Sequence, residues 1–321
     1  MIWLTWRQFR TQAIVGGAGL AAVAVYLTFI GMSIRDTYDD VIGFGMEAAR
    51  QAILERYEAD LNVIGLLVLA VPALIGAFWG APLVAREVEA GTHRLVWSQS
   101  VTRARWLAVK FGVVVLAAAS ITGALSALLT WAASPYDLAV GSRFDPMIFG
   151  ARNIAPLGYG VFAAAAGIAI GLLLRRTVAA MAVTLAVVAA LQVLMPTVVR
   201  PHLQTPVTAS MAFDASETTG LNVSGDTVRA YGFTVPGAWL LSDGGRVTDS
   251  TGRPVTRAQV DACDEGGPDK TFTCLEEADL RVEAAYLPAD AYWPIQWMEF
   301  AIFLGLGGLL TGVAFWRIRK S

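Results

Sequence analysis

The 321-residue sequence predicts an all-α polytopic membrane protein. The expected layout is six transmembrane helices with a small mixed extracytoplasmic domain before the last. Three observations lead there. Hydrophobic residues make up 55% of the chain and charged ones only 16%, with a mean hydropathy of +0.55; ordinary soluble domains carry about 25% charged residues. Six apolar runs reach the roughly 20 residues that a helix needs to cross a hydrocarbon core about 30 Å thick. Basic and acidic residues segregate into alternate loops, the pattern that sets orientation in a bilayer.

The chain starts with Met1 to Arg10, which mixes Trp3, Trp6 and Phe9 with Arg7 and Arg10. That composition suits a short interfacial helix in the headgroup region, or the plain flank of an anchor. The spans follow at about 13–32, 61–84, 111–133, 154–174, 177–199 and 293–316. Spans three to five are rich in Ala and Gly, which let helices approach closely in lipid. Pro72 and Pro196 are expected to kink their helices.

Arg7 and Arg10, the five basic residues of Arg86 to Lys110, the pair Arg175-Arg176, and Arg317, Arg319 and Lys320 all fall on one side if there are six spans. Both termini are therefore expected in the cytoplasm. The stretch Ser33 to Asp60, with seven acidic residues and three arginines, then faces out and holds an expected external helix at about 45–60. Three regions result: 1–200 with spans one to five, 201–291 outside, and 292–321 with span six and a cytoplasmic tail.

The 201–291 region changes character, with recurring Thr, Ser, Gly, Asp and Pro among short runs such as Thr227 to Val235, and 14 acidic against six basic residues. It reads as a small domain with strand content. The chain's two cysteines, Cys263 and Cys274, lie here. An oxidising exterior pairs them as a disulfide; two unpaired buried thiols are the alternative. A metal site is disfavoured, since neither CxxC nor a neighbouring histidine is present.

Equipment for catalysis is missing. None of Lys110, Lys270 and Lys320 follows the glycines of a GxxxxGK[ST] loop, so ATP is not expected to bind in the P-loop manner. His93 and His202 fall on opposite expected sides, and GxSxG is absent. Neither an enzyme nor a nucleic-acid partner is expected. Polar residues inside spans are the candidates for a pathway: Asn62, Thr184, Gln192 and above all Glu299, because an ionisable group in lipid normally faces the bundle or water. Helix-to-helix hydrogen bonding accounts for the first three equally, and for Glu299 a bond to neighbouring backbone or Gln296 is the plainer account.

The cytoplasmic segment 86–110 carries Leu95, Val96, Trp97, Val101, Trp106 and Leu107 as well as its charges. It reads either as an amphipathic helix pressed on a partner or the membrane, with breaks at Gly91-Thr92 and Ser100-Val101-Thr102, or as a solvated loop that sets topology. Glu87, Glu89, Gly91-Thr92, Val101-Thr102-Arg103 and Lys110 resemble the E…GT…(P)V[ST]R…K signature of ABC type-2 permeases, the transmembrane subunits of ABC exporters. The layout resembles that family over the whole chain, and the sequence does so mainly in Phe78 to Lys110 and Tyr286 to Lys320. One departure is Ser100, where the family often has proline.

The resemblance implies that this segment is a coupling helix seated in a separate ATPase subunit, with Glu87, Glu89, Gly91, Thr92, Arg94, Trp97 and Arg103 as the coupling residues. It also implies two ATPase copies holding ATP and Mg, a second permease subunit identical or homologous to this one, surrounding membrane lipid, and a place in the bacterial cytoplasmic membrane. The expected cargo is a hydrophobic or amphipathic compound such as a drug, antibiotic or peptide. Lipid or glycolipid export, or a sensor driven by the ATPase, are the alternatives.

Overall fold

The computed structural model describes residues 2–92, 102–141, 143–216, 218–225, 227–235, 237–242, 244–263 and 268–320. Among them, six helices are long and apolar enough to cross a membrane. Contacts divide the chain into two units, Met1–Arg200 with Trp293–Ser321, and Pro201–Tyr292.

The first helix, α1 (Ile2–Val41), is unbroken. Where the sequence reading separates an interfacial helix from span one, the backbone makes no division, because a change of polarity does not break a helix and no proline interrupts this run. A single 3-10 turn (Ile42–Phe44) and Gly45, at φ 113°, reverse the chain. That left-handed geometry suits a residue without Cβ. Helix α2 (Met46–Ile75) then runs through both the expected external helix and most of span two for the same reason. A π-helical turn (Gly76–Gly80) interrupts it before α3 (Ala81–Glu89) completes the span.

Span three is α4 (Arg103–Ala132), followed by two short helices, α5 (Ser134–Val140) and α6 (Pro146–Ala151). Span four is α7 (Ala155–Leu174) and span five is α8 (Thr177–Leu194), which ends in a second π-helical turn (Met195–Val199) containing Pro196. Span six is α11 (Tyr292–Lys320).

Helix α7 is the centre of the bundle: 72% of its apolar window is buried, against 11–50% for the other spans. It meets span two backbone to backbone. A Cβ on Gly76 would lie 2.6 Å from the Ala163 carbonyl oxygen, one on Gly171 would lie 2.7 Å from that of Ala81, and one on Gly167 would lie 2.8 Å from the Ala81 nitrogen and closer still to the Gly76 oxygen. Small residues on both faces permit this approach, which in lipid is the main source of helix association. Two apolar clusters flank it. One holds Leu27, Ile34, Ile53, Tyr57, Leu61, Leu129 and Tyr136, the other Val84, Trp106, Leu107, Val114, Ile168 and Ile318.

The second unit is an antiparallel sheet in the order β1-β6-β5-β3-β2. Its strands are β1 (Val207–Ala212), β2 (Gly220–Ser224), β3 (Thr227–Tyr231), β4 (Trp239–Leu240, on β6), β5 (Gly245–Thr248) and β6 (Arg281–Leu287). Val228, Ala230, Val247 and Val282 alternate inward and pack with Val260 of α9 (Arg257–Cys263) and Leu275 of α10 (Pro268–Glu277). A Cys263–Cys274 disulfide joins these two helices, with Cα atoms 5.7 Å apart.

Gly167→Val should cost about 3 kcal/mol or more, because the neighbouring atoms are backbone and have no rotamer to yield. Thermal unfolding and size-exclusion profiles of the purified chain check it; a monodisperse variant of unchanged midpoint would contradict the packing.

Candidate functional site

The segment between spans two and three leaves from the end of α3. Ala90 and Gly91 donate to the Arg86 and Val88 carbonyls, and Gly91 has φ 71°, a left-handed helix end for which glycine is favoured. Thr92 is exposed and its hydroxyl donates to the Glu87 carbonyl at 3.4 Å. Residues 93–101, which include His93, Arg94 and Trp97, lie outside the described residues. The chain resumes at Thr102, whose hydroxyl oxygen accepts from the Arg105 backbone at 3.3 Å and so caps α4, leaving Arg103 in the first turn and exposed. The Val-Thr-Arg motif thus contains a helix start.

The two carboxylates of the motif bind other parts of this chain, Glu87 partly buried and Glu89 at the surface. Glu87 Oε1 lies 2.6 Å from Lys110 Nζ, which is 3% exposed, also donates to the Leu83 carbonyl at 3.0 Å, and stands 4.8 Å from the centre of the Trp106 ring. Glu89 Oε2 accepts from the Thr177 backbone N–H at 2.9 Å and its hydroxyl at 2.6 Å, capping the start of α8. Glu87 and Glu89, expected as coupling residues, therefore tie α3 to α4 and α8 within this chain.

The four polar span residues make their contacts in different parts of the bundle. Asn62 is exposed and lines a small cavity with Gly65, Leu129, Tyr136, Ile148 and Arg152, whose lining includes none of the other three. Thr184 is buried and donates to the Ala180 carbonyl of its own helix at 2.7 Å. Gln192 reaches from α8 to the Leu69 carbonyl of α2 at 2.8 Å.

Glu299 is fully buried, and its partner is neither adjacent backbone nor Gln296. Arg200, 1% exposed, donates to it from Nε at 2.9 Å and from Nη2 at 3.1 Å. Tyr159 of α7 donates to the same carboxylate. The guanidinium also stacks 4.0 Å from the centre of the Phe149 ring. Gln296 instead accepts from the Ala155 N–H at 3.0 Å, capping α7, and donates to the Phe149 carbonyl at 3.1 Å. Sequence reasoning missed Arg200 although a signal existed. It is the lone basic residue between Arg176 and Arg229, as Glu299 is the lone acidic one after Asp290.

Nearby in the fold, Arg152 donates to the Leu129 carbonyl at 3.1 Å and pairs with Asp137 at 3.3 Å. Burial pushes the Asp137 carboxyl up to about 6, against the opposing pull of Arg152 and Arg143. An apolar groove of about 480 Å³ lies between α1, span two and α4, lined by Gly16, Leu20, Val71, Phe78, Trp79 and Ile121 among others.

A family model described as ABC-2 membrane transporter related matches residues 17–200. No curated protein and no solved structure matches the chain.

Glu299→Leu should lower stability by about 3–5 kcal/mol, because it strands a buried guanidinium, and Arg200→Met added to it should recover most of the loss. Thermal midpoints of the single and double variants read this directly. The raised Asp137 carboxyl gives a second expectation. Its favourable contribution is complete below the ordinary carboxylate range near 3.8 and is lost as pH rises through about 6. The thermal midpoint should thus rise by a few °C, on the order of one to a few kcal/mol, on going from pH 7 to pH 5, and Asp137→Asn should flatten that slope.

Proposed function

We infer the activity from one premise: the chain belongs to the ABC-2 membrane transporter related family. It is a permease subunit of an ABC transporter, and family membership implies a partner ATPase. On this reading it exports a hydrophobic or amphipathic compound, such as a drug, antibiotic or peptide, from a bacterial cell. Two ATPase copies hold ATP and Mg at the cytoplasmic face, and two permease subunits enclose the pathway.

The observation that carries the reading is the anchoring of segment 86–110. Its start is fixed to α4 through Glu87 and Lys110 and to α8 through Glu89, and its end is a capped helix start at Thr102. A loop that only sets topology has no need of a buried ion pair at its base, since burying an ammonium and a carboxylate costs several kcal/mol per ion before pairing. Closure of the ATPase pair would draw the segments together, tilt the spans, and exchange an inward-open for an outward-open cavity. Nucleotide drives this only by its differential affinity for the two states. An apolar cargo is favoured by the groove beside α1, because its lining offers contact to carbon and almost none to charge.

Purification of the full chain from native membranes should bring down an ATPase and a second permease. A panel of apolar compounds should then stimulate ATP turnover, and Arg103→Ala or Trp97→Ala should reduce that stimulation by about tenfold. Purification without any ATPase would refute the reading. Lipid accumulation in deletion cells would move the assignment to lipid export, and a defect confined to gene induction would move it to signalling.

A further inference from the structure

Lys110 is a cation that a contact surface cannot use. It is 3% exposed, 2.6 Å from Glu87, 3.0 Å from the Leu83 carbonyl, and against the Trp106 ring. Its three partners lie in the last turns of span two and the first turns of span three, on both sides of the segment that joins them. The base of the segment is thus closed by a bond between its own ends. Displacement of either end has to carry the other, whatever the conformation of the residues between.

The second strut acts in another direction. Glu89, two residues after Glu87 on α3, caps α8 through the Thr177 N–H and hydroxyl. Small residues pack the same two helices, with Ala81 and Ala85 against Ala180. The flank of the segment is therefore bound to spans three and five by polar bonds, and is itself the end of span two.

We propose that Lys110 is a positioning residue for energy coupling. Its pair with Glu87 makes the ends of spans two and three one rigid body, so that force on the cytoplasmic segment reaches both together. This rests on the reading that a partner ATPase pushes that segment. Lys110 itself does not touch the partner.

The test uses the full chain with its copurifying ATPase and spin labels on engineered cysteines. Both native cysteines are engaged in the disulfide and do not compete. Leu74 on span two, Leu116 on α4 and Leu309 on α11 are exposed labelling positions. On adding a non-hydrolysable ATP analogue to the unaltered complex, the Leu116–Leu309 separation should change while Leu74–Leu116 stays fixed. In Lys110→Met the first change should shrink by about fivefold, the lower range of allosteric coupling, and the second separation should begin to vary. Glu87→Gln should lie between the two, and Lys110→Arg, which keeps the cation, should restore most of the response.

Full nucleotide response in Lys110→Met would overturn the proposal. So would loss of the ATPase from that variant, which would place Lys110 in the docking surface, or failure of both Lys110→Met and Glu87→Gln to fold, which would make the pair a structural pin. Absence of an ATPase from the unaltered chain would instead overturn the exporter reading and this inference with it.

Discussion

The membrane unit depends on the contact of α7 with span two, where two backbones meet without side chains between them. Gly76, Gly167 and Gly171 each stand where a Cβ would enter a neighbouring backbone. In water a glycine-rich helix is a poor choice, costing about 1 kcal/mol per residue against alanine. In lipid the balance differs, because unpaired backbone is excluded and close packing replaces hydrophobic burial as the cohesive force. The π-helical turn at Gly76–Gly80 belongs to the same contact, since Gly76 lies against Ala163 and Thr184 while Gly80 faces Ala164 and Gly167. Span four is thereby fixed, and the other helices pack around it.

Polar groups mark both ends of this apolar assembly, and each solves the same problem of charge in a low dielectric. At the basic end Lys110 meets Glu87 and a carbonyl; at the other Arg200 meets Glu299, Tyr159 and the face of Phe149. Neither cation offers its charge to solvent. The carboxylate of Glu299 has no exposed atom in this conformation, and Glu87 and Glu89, expected as coupling residues, bind α4 and α8 of the same chain.

Much of the architecture was legible in the chain because bilayer crossing depends on local composition. The six apolar runs, their alternating charge, and the change of character after Arg200 are all one-dimensional signals. The positions of helix ends were less legible. Span one was expected at 13 and span two at 61, where polarity changes, yet α1 runs through residue 13 without a break and α2 starts at Met46, directly after the Gly45 turn, because a change of polarity does not end a helix whereas glycine geometry does. The partners of Glu299 and Lys110 were the least legible. Arg200 and Tyr159 lie 99 and 140 positions from Glu299, and Leu83 lies 27 from Lys110, so only tertiary packing brings them together.

Arg200 has one more consequence. It is the last residue of the membrane unit before Pro201, and the chain returns to that unit at Trp293, within two turns of the glutamate that holds Arg200. The sheet unit is therefore an insertion whose two attachment points are stapled to each other through the host. Its own sequence, length and fold are free to drift, shrink or be exchanged for another module, because the spacing that the spans require is kept by an ion pair the insert does not contain. Lineages with the same bundle are expected to differ most between these two points.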